Sequence, residues 1–131
     1  MKIVIPIPPV SKGRPVFANG HAYTPSKTRE YEQIVQLYAR RQIKRPLTGA
    51  VKLSIQFYLP IPKSWPETKK QAAMDGQIVP TTKPDVDNLL KAIMDALNGG
   101  IGYNDDKQVV EIIAEKQYSD NPRTEIELEE L

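Results

Sequence analysis

The sequence predicts a single α+β domain in which helices pack on a small mixed sheet. The chain has 131 residues, a length that suits one hydrophobic core. Segments with strand-like and helix-like patterns follow one another in the order β-α-β-(α)-α-β-β. Because strands outnumber crossover helices, a mixed or antiparallel sheet is favoured over a doubly wound one.

The first half of the chain is expected to supply an edge strand, a helix and the central strand. Residues 2–7 alternate between apolar and polar side chains, and Pro6 limits this strand to a sheet edge because it cannot donate a ladder hydrogen bond. Residues 28–41 place apolar side chains at helical spacing. Residues 51–59 alternate strictly, which predicts a strand with one face on the core.

The second half is expected to contain two helices and two strands. A short helix is predicted over residues 65–73, with Ser64 as its N-cap. A longer helix is predicted over residues 86–98, where a pair of glycines ends it. The last two strands are expected at residues 109–118 and 124–130.

Composition excludes several kinds of chemistry. The chain has no Cys, which removes disulfides, thiolate nucleophiles and Cys-based zinc sites, and its single His removes any multi-His metal site. No apolar run approaches the roughly 18 residues of a membrane span, and the N-terminal segment is too short and proline-rich for a signal peptide. We therefore expect a cytoplasmic protein without a membrane partner or a small-molecule cofactor. Catalysis, if present, must rest on carboxylates, Lys, Arg and a bound metal.

The net charge of +2 conceals an uneven distribution of charge. Residues 1–63 contain 11 Lys and Arg against 2 Asp and Glu, whereas residues 64–131 contain 7 against 14. A basic half can neutralise phosphates, and an acidic half can hold a divalent metal. The plainer interpretation is that two solvated faces differ in sign.

The second long helix has a clean division into polar and apolar sides. At about 100° per residue, Asp87, Asn88, Lys91 and Asp95 fall on one side, and the apolar residues fall on the other. The polar side is therefore expected to point outward. The same residues also fit ordinary helix stabilisation, with Asp85 as N-cap, Asp87 near the positive end of the dipole and Lys91 in i,i+4 ion pairs.

Two groups of aspartates flank this helix in the sequence. Asp85 and Asp87 stand at its start, and Asp105 and Asp106 follow it in a glycine-bounded turn. If the chain folds back on itself, these carboxylates converge, and their mutual repulsion favours a bound cation. An all-oxygen cluster suits Mg²⁺, with Mn²⁺ as a substitute. Lys91, one turn beyond Asp87, could reach the same centre, which would suit phosphodiester hydrolysis.

Several motifs together resemble one known family. The strongest are DVDNLLKAIMDALNG at residues 85–99 and GYNDDKQV at residues 102–109, supported by RP at 14–15, YTPSKTREY at 23–31 and PKSWP at 62–66. In these segments the sequence is similar to the RusA family of Holliday junction resolvases, which are crossover junction endodeoxyribonucleases.

The resemblance implies a Mg²⁺-dependent homodimer that resolves four-way junction DNA by paired symmetric nicks, in DNA recombination and repair, in a bacterial or phage-infected cell. It implies that Asp85, Asp87 and Asp106 are catalytic metal ligands and that Lys91 is the catalytic lysine. Asn88 and Asp95 would have supporting roles, and Asp105 would stand in for Asp106.

Basic residues on loops and helix starts are the expected contacts to DNA phosphates. They are Lys12, Arg14, Lys27, Arg29, Lys69, Lys70 and Lys83.

Two other functions fit parts of the pattern. Pro84-Asp85 and Asp105-Asp106-Lys107 read formally as a PD…DxK metal nuclease, in which Lys107 would be the catalytic lysine and Asp105 the ligand. That motif normally places its elements on neighbouring strands, so the intervening helix disfavours it. A non-catalytic DNA-binding accessory protein of a phage is the second alternative, in which the acidic cluster has a structural role.

Overall fold

The computed structural model describes residues 1–13, 16–18, 20–23 and 26–131, with the backbone alone described for 16–18 and 21–23. Within these residues the elements, in chain order, are β1 (Lys2–Ile5), β2 (Val16–Ala18), β3 (His21–Tyr23), α1 (Ser26–Gln42), β4 (Val51–Pro60), α2 (Glu67–Met74), α3 (Val86–Leu97), a 3₁₀ helix (Asp106–Gln108), β5 (Val109–Ser119) and β6 (Arg123–Glu130).

The central sheet is mixed, as the sequence predicts. Its strand order is β1-β6-β4-β5, and the short strands β2 and β3 form a separate antiparallel pair. β4 pairs in parallel with β5 and antiparallel with β6, and β6 pairs antiparallel with β1. β1, β4 and β5 therefore point in one direction, and β6 points in the other.

The alternation of β4 determines which face of the sheet is buried. Val51, Leu53, Ile55, Phe57 and Leu59 are buried, while the residues between them are half-buried on the opposite face. The apolar sides of α1 and α3 cover the buried face, with Tyr31, Val35 and Ala39 from α1 and Leu89, Ala92, Ile93, Ala96 and Leu97 from α3 in the same core. The amphipathic pattern of α3 is thus satisfied by packing on the sheet.

The helices run opposite to the parallel strands. α1 lies between β1 and β4, and α3 lies between β4 and β5, so each helix returns the chain to the edge at which the next parallel strand begins. The start of α3 consequently lies at the carboxyl ends of β4 and β5. The end of α3 lies at the edge where these strands begin.

The structure corrects the sequence-based prediction in two places. The hairpin of β2 and β3 lies between the elements predicted at residues 2–7 and 28–41, where the sequence predicts a loop rich in Pro and Gly. Asn19-Gly20 is nevertheless a typical hairpin turn sequence, and Gly20 has a φ of 79°. α2 begins at Glu67 rather than at residue 65, and its N-cap is Pro66, which has no side-chain hydrogen bond to offer. Ser64 is therefore not the cap.

Candidate active site

The outward side of α3 carries the acidic and basic residues that the sequence analysis selected. Asp87, Asn88 and Lys91 are exposed, and Asp95 is half-buried one turn beyond Lys91. The inward residues of the helix belong to the core. The sheet therefore holds the polar stripe of α3 in a fixed orientation towards solvent.

Asp85 does not cap the helix in the way that its position allows, and Asp87 makes one short-range contact in the first turn. Asp85 is the N-cap residue of α3 and has an extended backbone, but its side chain makes no capping hydrogen bond. The Asp87 carboxylate accepts a hydrogen bond of 3.0 Å from the backbone N–H of the next residue, Asn88. Both carboxylates are exposed at the first turn of one helix and have most of their lone pairs available to a ligand.

A groove of about 530 Å³ lies beside this first turn. Its walls are formed by Asp85 and Asn88 together with Lys83, Pro84 and Ser11. Sequence reasoning missed Ser11, because nothing in its own pattern indicates that the loop after β1 approaches α3. The approach is produced by a backbone hydrogen bond of 2.9 Å from the N–H of Lys12 to the carbonyl of Asn88.

A lysine on β5 holds the segment that leads into the helix. The ammonium group of Lys116 donates to the carbonyl oxygens of Thr82 at 3.1 Å and Pro84 at 3.0 Å. Because Lys116 lies towards the carboxyl end of β5, this contact fixes Asp85 at that edge of the sheet. The periodicity of the strand alone gave no sign of this role.

Lys91 has no ion-pair partner among the residues that the structure describes. The i,i+4 pairs that the sequence allows with Asp87 and Asp95 do not form, so helix stabilisation does not account for this lysine. Its ammonium group is exposed one turn beyond Asp87, on the same side of α3.

Asp95 is paired with the loop after β1 instead. The ammonium group of Lys12 lies 2.6 Å from Oε1 of Glu32 and 3.2 Å from Oδ2 of Asp95. Burial works against the charged form of Lys12, but hydrogen bonds to the two carboxylates outweigh it and raise the pKa of Lys12 above its usual value. Lys12, expected to contact DNA, thus bridges α1 and α3.

The structure places Asp106 at the other end of α3. The hydroxyl of Tyr103 donates to the carbonyl of Met94 at 2.8 Å, and the charges of Asp106 and Asp95 act on this hydroxyl. Burial first, and then those two charges, raise the pKa of Tyr103 far above its usual value. Asp106 precedes Val109, which pairs with Val51 where β4 and β5 begin, so Asp106 lies at the end of α3 away from Asp85. Asp85 precedes Asp95 by ten residues, or about 15 Å along the helix.

Asp105 also has a local role at this end. It is the N-cap of the 3₁₀ helix and accepts a hydrogen bond of 2.9 Å from the backbone N–H of Lys107. This hydrogen bond lowers the pKa of Asp105 below its usual value. Gln108 completes the capping box and also donates to the carbonyls of Leu47 and Gly49, which ties the turn to the chain before β4.

One chain therefore does not bring the two groups of aspartates together. In residues 1–13 and 26–131, where side chains are described, no three Asp, Glu or His side chains lie close enough to hold one metal ion. The fold-back that the sequence analysis expected within one chain does not occur. The pair of Asp85 and Asp87 still fits Mg²⁺, which is commonly bound by one or two carboxylates, with water and substrate phosphate completing its shell.

The residues expected to contact DNA lie in different surroundings. Lys27 and Arg29 are exposed on the first turns of α1, and Lys83 lines the groove beside Asp85. Lys69 lies 4.0 Å from the ring centroid of Trp65, and Lys70 is 3.6 Å from Glu67. Arg14 lies outside the described residues.

The PD…DxK alternative does not match the observed elements. Asp85 begins a helix and Asp105 begins a 3₁₀ helix, so neither lies on a strand. The two residues are also at opposite ends of α3.

Across the described part of the chain, no helix has the length and apolar character needed to cross a membrane.

Comparison with known proteins gives two matches that span nearly the whole chain. A family model described as endodeoxyribonuclease RusA matches residues 6–129. The chain is 42% identical over 132 residues to a protein of Bacillus subtilis (strain 168) described as Uncharacterized protein YqaN, and the alignment covers 94% of this chain and 91% of that protein.

Proposed function

Because the chain belongs to the RusA endodeoxyribonuclease family, as its motifs predict, we propose that it resolves Holliday junctions. We propose that it does so by paired symmetric nicks that depend on Mg²⁺. The observation that carries this proposal is the arrangement at the start of α3. Asp85 lines a groove, and the exposed Asp87 lies on the first turn beside it. Lys91, which has no ion-pair partner among the described residues, follows one turn later.

Asp85 and Asp87 would hold the ion in this proposal. A bound Mg²⁺ polarises a phosphate and makes a water molecule more acidic. The water oxygen would form a bond to phosphorus while the bond to the 3′ oxygen breaks. The water would lose one proton to solvent and the 3′ oxygen would gain one from solvent, which leaves a 5′-phosphate and a 3′-hydroxyl. Lys91 stabilises the negative charge that builds up on the phosphate oxygens, because its ammonium group faces the same side as Asp87.

Asp106 remains the proposed third ligand, and we propose that it serves the Asp85 and Asp87 pair of another copy and not that of its own chain. The helix axis alone separates the two ends by about 15 Å. In a homodimer, each site can instead take its third carboxylate from the other copy. We therefore propose that the site is completed on dimerisation, which also gives the two equivalent sites that symmetric nicking of a junction needs.

Basic side chains near the start of α3 would bind the phosphates on either side of the cut. Lys83 lies in the groove itself, and Lys27 and Arg29 lie on the first turns of α1, which is at the same end of the sheet. These contacts give affinity and orientation without reading the base sequence.

The test is a cleavage assay on a synthetic four-way junction beside a linear duplex of the same sequence, with and without Mg²⁺. We expect Mg²⁺-dependent, symmetrically placed nicks in the junction and little cutting of the duplex. Junction binding without nicks at any concentration of Mg²⁺ or Mn²⁺ would contradict the proposal and favour the non-catalytic alternative.

A further inference from the structure

The C-terminal end of α1, which lies away from Asp85 and Asp87 of the same chain, carries a dense group of cations. Arg40, Arg41, Lys44 and Arg45 lie within six residues of sequence, and all four are exposed. We call these four residues the α1 basic cluster. Among the described side chains, none of the four lies within ion-pair distance of a carboxylate. Unpaired like charges held this close repel one another, so an anionic partner would relieve an unfavourable arrangement.

Helix stabilisation accounts for only half of the cluster. Arg40 and Arg41 occupy the last turn of α1, where cations interact favourably with the negative end of the helix dipole. Lys44 and Arg45 follow the helix and lie outside that turn.

The chain that carries the last two cations is fixed on both sides. Ile43 is buried, and its N–H donates to the carbonyl of Ala39 at 2.8 Å. Leu47 donates to the carbonyl of Gly102 at 2.9 Å and forms a bridge with Tyr103. The cluster is thus presented by anchored backbone and not by a free loop.

The guanidinium group of Arg41 is also held in place. It lies 5.0 Å from the ring centroid of Tyr38, a cation–π contact that leaves its edge free for a phosphate. Guanidinium groups suit this task because their planar forks match phosphate oxygens. Arg41 lines a groove of about 370 Å³ together with Lys2, Tyr38 and Gln42. The other three cations do not line this groove, and a series of separate exposed cations suits an extended polyanion.

The distance from the cluster to the active site follows from the packing of α1 on α3. The two helices run in the same direction, and the side chain of Gln36 donates to the carbonyl of Ala96, so these residues lie side by side. Asp87 precedes Ala96 by nine residues, and Arg40 follows Gln36 by four. At 1.5 Å per residue, Arg40 is about 20 Å from Asp87 along the helix direction, which equals about six base pairs of duplex.

We infer that the α1 basic cluster binds the phosphate backbone of a DNA arm about six base pairs from the cut. The inference rests on the proposed function, which identifies junction DNA as the partner. It adds the α1 basic cluster as a second surface that contacts this DNA. A second contact of this kind restrains the arm as a rigid body, so it favours branched DNA whose arms leave the junction at the angle the protein sets. Towards the active site, α1 carries one further cation, Arg29. The uncharged Gln33 and Leu37 lie between Arg29 and the α1 basic cluster.

A second copy of the chain is the other source of negative charge. The open face of the sheet carries Glu111, Glu115, Glu125, Glu127 and Glu129. Two of these acids already have a cationic partner within the face, since Glu125 pairs with Lys2 and Arg123, and Glu111 lies 4.0 Å from Lys52. DNA, which offers a continuous row of phosphates, is the better match.

The test compares the double variant R40Q/K44Q with K52Q/K63Q, which removes two cations elsewhere and so has the same net charge. Binding to a four-way junction is measured without divalent metal over a range of salt concentrations. We expect R40Q/K44Q to weaken binding on the order of tenfold near 0.1 M salt and to reduce the salt slope by about 2, or about 1 for each lost phosphate contact. K52Q/K63Q should keep the wild-type slope.

A second arm of the experiment locates the contact. Junctions with uncharged methylphosphonate linkages about six base pairs from the branch point should bind wild-type protein more weakly than unmodified junctions do. R40Q/K44Q should bind the modified and unmodified junctions equally. Equal slopes for the two double variants would overturn the inference. Loss of salt-sensitive self-association in R40Q/K44Q, with unchanged DNA affinity, would overturn it in favour of a second copy. A different result would contradict the proposed function, namely that wild-type protein with Mg²⁺ leaves junctions uncut.

Discussion

The ammonium group of Lys116 donates a hydrogen bond of 3.0 Å to the carbonyl of Pro84, the residue immediately before Asp85. Lys116 and Val109 are seven residues apart on β5, or about 23 Å in a strand. Asp106 comes just before Val109, in the 3₁₀ helix that leads into the strand. The same strand therefore holds the first aspartates at one end and the last ones at the other.

This separation gives a direct test of the proposed shared metal site. D87N and D106N proteins should each be inactive alone. When their subunits are exchanged, a mixed dimer contains one site with both mutations and one site with neither, provided that each site takes Asp106 from the other copy. We expect the mixture to recover single nicks in the junction but not paired ones, as measured on a denaturing gel.

The control for this experiment is a mixture of D85N and D87N subunits. Both residues belong to the same end of one chain, so every mixed dimer has a damaged pair in both sites and should remain inactive. Recovery in this control, or no recovery with D87N and D106N, would contradict a site shared between copies.

Lys91 and Lys107 can be separated by parallel alanine variants. Lys91 lies on the same side of α3 as Asp87 and has no ion-pair partner in the described part of the chain, whereas Lys107 lies within the capped 3₁₀ helix at the opposite end. K91A should lower kcat for junction cleavage by about a hundredfold or more, the size of effect seen when a group that stabilises transition-state charge is removed. K107A should cut at close to the wild-type rate. The reverse pattern would support the PD…DxK alternative.

Lys12 should contribute to stability more than to DNA binding. Its ammonium group neutralises Glu32 and Asp95, and its side chain is 16% exposed. K12Q leaves two facing carboxylates without their cation, and we expect a loss of about 1 kcal/mol after solvent screening, or about 4 °C in Tm. K27Q, which removes an exposed lysine on the first turn of α1, is the control and should leave Tm unchanged.

The effect of K12Q should also depend on pH in one direction. The pKa of Lys12 is raised above the usual 10.5 by its two carboxylate partners, against the effect of burial. A raised pKa means that the stabilisation is fully present below pH 10.5 and is lost as the pH rises through the higher value of the folded state. The difference in stability between wild type and K12Q should therefore shrink above that pH. A constant difference would show that charge is not its source.

The parts of the fold that could be predicted are those that depend on side-chain periodicity. The alternation of β4 and the division of α3 into polar and apolar sides gave the correct elements and the correct buried residues. Both features depend on the partition of side chains between water and the core, and the spacing of apolar residues in the sequence indicates that partition. The hairpin of β2 and β3 was missed because each of its strands has only three residues, too few to show a period.

The relation of Asp106 to Asp85 could not be read from the same signal. Periodicity says which residues face the core, but it does not say whether β5 pairs with β4 in parallel. Once that pairing is parallel, α3 must run back along the sheet, and the turn after it must lie at the far edge from its start. The contacts of Lys12 and Lys116 were missed for a related reason, since each joins elements far apart in sequence.

The most direct test of the central claim is the cleavage of a four-way junction by D87N, with D120N as its matched control. Both variants replace an exposed aspartate with its neutral isostere, but Asp120 lies in the turn between β5 and β6 and lines a different cavity, not the groove beside Asp85. If Asp87 holds the metal, D87N binds the junction as tightly as wild type in Mg²⁺ and makes no nicks, while D120N cuts normally. Cleavage by D87N at the wild-type rate would contradict the account.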